Sequence, residues 1–269
     1  MTATARPGRA CHPFLPGRLS VRRKRPGTGS VRSYTVKRVT AGSSTDKGEN
    51  RLCNIINACG EAARQLAALE PEDVVMRSGA AYDEKRKTYR LKYFGAWYEI
   101  DCQGRVSLPG HGEEIPYNDR TLIMQYLCSA SGLPPRNRWL SFLELPEGAH
   151  HHGPFHVDAL NPLAAAFSSL PDQFLRAATT LDGEPLPMGD AAARFMAFPR
   201  LPLAAVLWVQ DEEFPARANI LFDAVSPTHL STASLWVLGV ELATKLRTCL
   251  NPAVTGAVNW LGKEQRKEG

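Results

Sequence analysis

The sequence predicts an α+β fold in which an antiparallel sheet packs against several helices, and three patterns support this prediction. An apolar run at 201–209 is followed, after an acidic break, by a second apolar segment at 218–222, which is typical of a buried hairpin. Aromatic and charged residues alternate over 80–106, which predicts an antiparallel meander with one wet face. Leucines spaced three or four residues apart over 235–246 predict a helix that covers the hairpin.

The C-terminal hairpin and helix form the predicted core. Pro202 cannot donate to a sheet ladder, so we expect the paired part of the first strand to begin at Leu203. Ser231 or Thr232 is expected to cap the following helix. The predicted inward face of that helix consists of Leu235, Leu238, Leu242 and Leu246.

Earlier elements follow from the same patterns. The sequence predicts a helix over 49–69, turns of the meander at 83–87 and near Gly95, a helix over 118–130, an extended segment over 138–145, and short helices over 161–168 and 171–180. We interpret the meander aromatics (Tyr82, Tyr89, Tyr93 and Tyr98) as core residues, with a binding platform as the alternative.

Composition indicates one globular domain over 48–250, preceded by a basic arm at 1–46 and followed by a short polar tail at 251–269. The 43% hydrophobic and 22% charged residues are ordinary for a globular protein. Ten of the 32 Lys and Arg residues lie in 1–40, which has no acid, so the remaining 22 face 27 acidic residues. The net charge of +5 therefore comes from the arm.

The arm is rich in Arg, Pro, Gly and Ser, and this composition predicts disorder. Three roles stay open for it: contact with nucleic acid or an anionic surface, an organelle transit peptide, or no role, as upstream sequence translated from a misassigned start. Elsewhere the chain gives no nucleic-acid signal.

Six scattered cysteines without a C-x-x-C pair indicate reduced thiols rather than a disulfide framework. The chain has no apolar run of about 18 residues, so we expect no membrane span. Because a secretory signal is also lacking, the expected location is the cytoplasm.

The histidines His150, His151, His152 and His156 are the first candidate site, because imidazole is the commonest ligand of zinc and other transition metals. Adjacent histidines rarely converge on one ion, and Gly153-Pro154 follows them. We therefore prefer a solvated loop to a metal site.

Carboxylates supply the second and third candidates. Asp211, Glu212 and Glu213 can provide general acid–base groups or bind a hard cation, although a polar hairpin tip is the preferred interpretation. Asp223 and His229 form a separate pair, because a strand of seven or eight residues places Asp223 about 25 Å from the tip.

Asp190 and Arg194 complete the candidates. Asp190 is expected to bond turn amides or to pair with Arg194, with ligand binding as the alternative. The sequence has no dinucleotide-binding, phosphate-loop, nucleophile-elbow or zinc-protease motif.

The segments RWLSFLELPEGA, GPF, GDAAARFMAFPRLPLAAVLW, DEEFP and LFDA, with the helix after HLST, together resemble the prokaryotic family catalogued as domain of unknown function 3786. The resemblance covers about residues 50–250. It implies a single domain of unassigned activity, mainly in anaerobes, with relatives linked to an iron–sulfur module like those of corrinoid one-carbon metabolism. This chain lacks the cysteine clusters of that module.

The predicted function is a binding or accessory module for a small molecule, cofactor or protein partner, with a contextual link to anaerobic one-carbon or corrinoid metabolism. The meander aromatics and the missing catalytic motifs favour this interpretation. The alternative is a small enzyme that uses the acids at the hairpin tip, or Asp223 with His229, with a divalent metal as an option. The sequence identifies no cofactor.

Overall fold

Two antiparallel sheets organise the part of the chain that the computed structural model describes, residues 58–112 and 114–250. With the helices around them, they confirm the predicted α+β class. The predictions for the arm at 1–46, the tail at 251–269 and the first part of the 49–69 helix lie outside the described residues.

The first sheet is the predicted meander. Its strands are β1 (Ala81–Asp83), β2 (Thr88–Tyr93), β3 (Ala96–Asp101) and β4 (Val106–Ser107), and they pair in sequence order. Tyr89, Tyr93 and Tyr98 are buried, and the rings of Tyr93 and Tyr98 meet edge to face with centroids 5.7 Å apart. These three aromatics therefore belong to the core, whereas Tyr82 is only partly buried and packs against it.

The second sheet contains the predicted hairpin and two strands that were not predicted from the sequence. Its strands are β5 (Trp139–Ser141), β6 (Glu184–Pro185), β7 (Ala191–Phe198), β8 (Leu201–Trp208) and β9 (Arg217–Asp223), in the spatial order β5-β9-β8-β7-β6. The β8–β9 hairpin is confirmed. On its other side β8 pairs with β7 from Leu201 to Leu207, so β8 lies in the centre of the sheet.

Pro202 lies within β8, so the expectation that pairing begins at Leu203 is wrong on the β7 side. Pro202 is opposite Met196, and the register shifts between Met196 and Phe198. Towards β9 the pairing does begin at Leu203, opposite Phe222. Backbone groups of successive residues in β8 point alternately to β7 and to β9, and the nitrogen of Pro202 faces β9. Pro202 lies beyond the last β8–β9 pair, so its missing N–H removes no hydrogen bond between these strands.

The extended segment predicted over 138–145 is shorter than expected. Only Trp139–Ser141 is a strand, and a 3₁₀ turn follows at Phe142–Glu144. The Ser141 hydroxyl and backbone N–H both donate to the Glu144 carboxylate, each at 2.7 Å. This capping box turns the chain out of the sheet.

The helices surround the two sheets. Ser231 caps the last of them by accepting from the backbone N–H of Ser234, and the four predicted leucines on its inward face are fully buried. The helices are α1 (Ala58–Ala67), α2 (Pro71–Ser78), α3 (Tyr117–Ser129), α4 (Gly148–Phe155), α5 (Asn161–Ala166), α6 (Pro171–Thr180) and α7 (Thr232–Thr248). No helix in the described ranges combines the length and apolar character that crossing a bilayer requires.

Candidate functional site

A cleft of about 360 Å³ opens where β5 ends and the chain leaves the second sheet. It lies between the first residues of β9, the last residue of β8, and the turns of α4. The apolar part of its wall is formed by Phe142, Leu160, Trp208 and Ala218. Its polar side chains are Ser141, His152, His156, Arg217 and Asn219. The volume lies near the lower end of the range for small-molecule sites, roughly 300–1,000 Å³.

Two of the four candidate histidines meet in this cleft. The segment that was expected to be a loop is helix α4, which continues into a π-helical turn at His156–Leu160. One helical turn therefore separates His152 from His156, and their rings lie edge to face with centroids 4.6 Å apart. His150 and His151 are exposed, and His151 lies over Trp236.

Packing explains why this segment is helical despite Gly153-Pro154. The Phe155 ring stacks on Phe142 at 4.3 Å and also approaches Phe222 of β9. A side chain at Gly148 would collide with the carbonyl oxygen of Phe142, so glycine allows α4 to begin against the 3₁₀ turn. Long-range contacts of this kind override a local loop signal.

The described residues contain no group of three or more His, Cys, Asp and Glu side chains placed to hold a metal ion. His152 and His156 alone would leave a cation with two protein ligands, whereas structural zinc sites use four and catalytic ones three. The arrangement thus does not form the four-histidine site considered from the sequence.

The sheet side of the cleft presents three aligned side chains. Trp208 is opposite Arg217 in the β8–β9 register, and Asn219 follows two residues along β9. Because side chains alternate across a strand, these three lie on one face of the sheet. Arg217 is exposed and Trp208 partly so, and both are accessible to a ligand.

The charged and titratable side chains that line the cleft are basic, while two carboxylates outside the wall act on it: Asp211 interacts with the charge of Arg217, and Glu144 accepts from the Ser141 hydroxyl. The wall has one guanidinium, which is always charged, and two imidazoles, but no carboxylate. Among the hydrogen bonds and ion pairs formed between described residues, none uses the side chain of His152, His156, Arg217 or Asn219. The cleft therefore offers unused N–H donors that suit a negatively charged group.

The Asp223 and His229 pair is brought together by the fold but is closed to solvent. Asp223 Oδ1 accepts from the backbone N–H groups of Arg136 at 2.9 Å and Val225 at 2.8 Å, and His229 Nδ1 accepts from that of Ser131 at 3.1 Å. Burial lowers the pKa of His229, and the Asp223 carboxylate opposes this shift. Through these bonds both residues hold the segment after α3, while Asp223 Oδ2 and His229 Nε2 are buried without a hydrogen-bond partner among the described residues.

The acidic hairpin tip forms its own turn. Asp211 Oδ1 accepts from the backbone N–H groups of Glu213 at 2.8 Å and Phe214 at 2.7 Å. These bonds, led by the one from Phe214, lower the pKa of Asp211. Glu212 and Glu213 are exposed. The tip and Asp223 flank opposite ends of β9, as the sequence indicated.

Asp190 and Arg194 do not pair with each other. Asp190 Oδ2 accepts from the Val209 backbone N–H at 2.8 Å, which matches the alternative that Asp190 bonds a turn amide. Arg194 instead donates to Glu184 across the β6–β7 pair at 2.7 Å. Both residues hold strand ends, and neither lines the cleft.

The cysteines within the described residues, Cys59, Cys102, Cys128 and Cys249, are free thiols. Burial raises the pKa of Cys128 to about 11 and also raises the pKa of Cys249. Since the thiolate is the reactive form, neither of these two thiols is activated as a nucleophile.

A buried ion pair between α3 and α7 was not predicted from the sequence. Lys245 of α7 donates to Asp119 Oδ2 at 2.7 Å, and the Tyr93 hydroxyl donates to Asp119 Oδ1 at 2.7 Å. Asp119 is 2% exposed. No local sequence pattern indicates this pair, because Lys245 and Asp119 are 126 residues apart.

The cleft residues Ser141, Trp208, Arg217 and Asn219 were also not identified from sequence. Arg217 and Asn219 lie on either side of Ala218, at the start of a predicted strand. This alternation of polar and apolar residues indicates a sheet face open to solvent, but it does not indicate a ligand site. Their convergence with α4 depends on the β5–β9 pairing, which no local pattern encodes.

Together the two antiparallel sheets, the covering helices and the cleft at the end of β5 define an α+β protein with an open cleft lined by basic side chains. The chain belongs to the family described as a domain of unknown function (DUF3786), whose model matches residues 70–245. No curated protein and no solved structure matches it.

Proposed function

We propose that the protein is a binding module that recognises an anionic ligand in the cleft at the end of β5. One observation carries the proposal: Arg217, His152, His156 and Asn219 converge on a cleft whose wall has no carboxylate. A guanidinium bonds carboxylates and phosphates in a fixed planar geometry, and two imidazoles and an amide add donors beside it.

Trp208 adds an apolar contact next to the guanidinium. Ligand sites commonly combine an apolar wall with a few convergent polar groups, and aromatic side chains provide large contact areas. The proposed ligand therefore has a negatively charged group attached to an apolar or planar part.

Binding is favoured over catalysis because the carboxylates proposed for acid–base chemistry are engaged elsewhere. Asp211 bonds the amides of its own turn, and Asp223 is fully buried and bonded to two backbone N–H groups. Catalysis would require such a group within reach of a substrate.

The suggestion that this module serves anaerobic one-carbon or corrinoid metabolism comes from the family resemblance. A cleft of about 360 Å³ fits a compact group of such a ligand or partner rather than a whole macrocycle. Adding a corrinoid to the protein and following its visible absorption spectrum tests this suggestion separately.

The test measures binding of glutarate, citrate and inorganic phosphate to the full chain by calorimetry and by intrinsic tryptophan fluorescence. Native mass spectrometry of protein purified without metal resin adds a search for a retained ligand. Replacement of Arg217 by Met should weaken binding of the best anion by about tenfold to a hundredfold, because a hydrogen bond to a charged group contributes about 1.5–3 kcal/mol.

The matched control is Arg176→Met, which removes an exposed arginine of α6 that does not line the cleft. It should leave the affinity unchanged. Equal losses in both variants would show a general charge effect, and an Arg217→Met protein that binds anions like the wild type would contradict the proposal.

A further inference from the structure

The first half of β9 lacks a neighbouring strand on one side. β5 pairs with β9 only at Leu221–Asp223, and the chain then turns away at Phe142. Within the described residues no strand continues the sheet beside Arg217 and Ala218, where β9 lines the cleft. The cleft thus occupies the place that a longer β5 would fill.

A hydrogen bond at the end of β9 shows which of its residues direct their backbone groups towards this edge. The Ala224 N–H donates to the Arg138 carbonyl at 2.8 Å, on the β5 side of the sheet. Residues of an antiparallel strand direct their N–H and C=O to alternate sides. Ala218 is six residues before Ala224, an even number, so its backbone N–H and C=O also point to the β5 side.

The β8 strand gives the same result independently. The Leu207 carbonyl accepts from the Asp190 N–H at 2.9 Å, on the β7 side. Its neighbour Trp208 therefore faces β9, where it pairs with Arg217. Ala218 follows Arg217 and points away from β8, towards the cleft.

From this edge we infer that the occupant of the cleft is an extended acidic segment of a partner protein, added as a strand beside β9. The inference rests on the proposed function, that the cleft binds anions. The Ala218 N–H and C=O supply backbone hydrogen bonds, as in other cases of strand addition to a sheet edge.

Charge complementarity selects an acidic segment. Side chains of an added strand alternate between the two faces of the sheet. On one face they meet Arg217 and Asn219, and on the other they meet the turns that carry His152 and His156. Basic groups on both sides and the absence of a carboxylate in the wall disfavour a lysine-rich segment.

The experiment compares three probes on the full chain by calorimetry. They are the blocked peptide acetyl-Glu-Val-Glu-Val-Glu-amide, the same peptide N-methylated at alternate residues, and glutarate. The acidic peptide should bind at least tenfold more tightly than glutarate. Methylation should remove most of this gain, because it eliminates the backbone donors needed for strand pairing.

The matched protein variant is Ala218→Pro. It removes the edge N–H but leaves the β8–β9 ladder intact, because that N–H does not point towards β8. The ratio of peptide affinity to glutarate affinity should fall about fivefold to tenfold, the size expected for a hydrogen bond lost at the edge. If Ala218→Pro does not fold, the methylated peptide still tests the strand pairing.

The outcomes separate the two proposals. Glutarate binding without a gain from the acidic peptide, or equal binding of the methylated peptide, would overturn strand addition and leave the anion site. Equal binding of acetyl-Lys-Val-Lys-Val-Lys-amide would overturn the charge argument. Failure of every anionic probe to bind would reject both proposals.

Discussion

Asp119 and Lys245 form an ion pair inside the protein, with 2% and 11% of their side chains exposed. The pair is compensated by the Tyr93 hydroxyl, which donates to Asp119, and by the Tyr93 ring, whose centroid lies 5.3 Å from the Lys245 nitrogen. Burial raises the pKa of the nearby Glu241 carboxyl, and the Asp119 charge raises it further. Lys245 therefore balances an acidic neighbourhood that the core encloses.

Replacing Lys245 with Met should destabilise the protein by about 3–5 kcal/mol, because it leaves the Asp119 carboxylate buried without its counter-ion. Urea denaturation followed by circular dichroism measures this loss. The double variant Asp119→Asn/Lys245→Met should recover part of it, since the uncompensated charge is then also removed.

The matched control is Arg105→Met, which breaks the pair between Arg105 and Asp101 on the surface of the first sheet. Arg105 is 77% exposed, and exposed pairs contribute about 0–1 kcal/mol. If Lys245→Met costs no more than this control, the ion pair adds nothing to stability.

His229 predicts a pH dependence of stability. Burial lowers its pKa below the usual value, so the unfolded chain takes up a proton more readily than the folded chain. The stability that depends on neutral His229 is therefore complete above about pH 6.5, the unfolded pKa, and is lost as the pH falls below it.

His229→Asn is expected to flatten this dependence, because an amide oxygen can still accept from the Ser131 N–H but does not titrate. Urea midpoints measured from pH 7.5 to pH 5.5 test the expectation. The exposed His150→Asn control should retain the wild-type slope. Parallel curves for His229→Asn and the wild type would contradict it.

At the scale of single elements, the sequence predicts what local patterns determine. The period-two alternation of the meander and the leucine spacing of α7 each follow from one buried face, and both are confirmed. β7 was missed because it begins with three alanines and most of its residues are buried, so its sequence shows neither a strand period nor a helix period. Its identity as a strand comes from pairing with β8.

The candidate site was less predictable because it also depends on pairing between distant parts of the sequence. The histidine cluster was identified from composition, and two of its four members do line the cleft. Their partners Arg217 and Asn219 come from a strand about 60 residues further along the sequence. Only the β5–β9 pairing and the early end of β5 create the space between them.

Gly239 determines how closely α7 approaches the layer beneath it. A Cβ atom at this position would lie 2.7 Å from Phe155 Cε2 and 3.3 Å from Phe222 Cζ. Gly239→Ala should therefore cost about 1–3 kcal/mol through overpacking, although alanine favours helix formation. Thermal unfolding measures the effect.

Thr244→Ala serves as the control, because Thr244 is exposed on the same helix. It should be neutral or slightly stabilising. If Gly239→Ala is as stable as Thr244→Ala, then α7 can move away from Phe155 without a loss of stability. The contact between Gly239 and Phe155 would then not determine the position of the helix.

At the scale of the whole molecule, the two sheets contribute to one hydrophobic core. The Phe94 N–H donates to the Ala197 carbonyl at 3.2 Å, which joins the turn of the first sheet to β7 of the second. The Phe198 ring stacks on Tyr126 at 4.2 Å and on Tyr93 at 4.9 Å. Phe198 thus contacts a helix and the other sheet at once.

Replacing Phe198 with Ala should destabilise the protein by about 3–5 kcal/mol, because it opens a cavity at this fully buried position. If the sheets form one cooperative unit, hydrogen exchange followed by mass spectrometry should show amides of β2 and β8 losing protection at the same urea concentration, in the wild type and in the variant. Met76→Ala, at a side chain 65% exposed on α2, should shift neither set of amides by more than about 1 kcal/mol. Loss of protection in β2 alone would instead show that the first sheet unfolds independently and that Phe198 does not couple the two sheets.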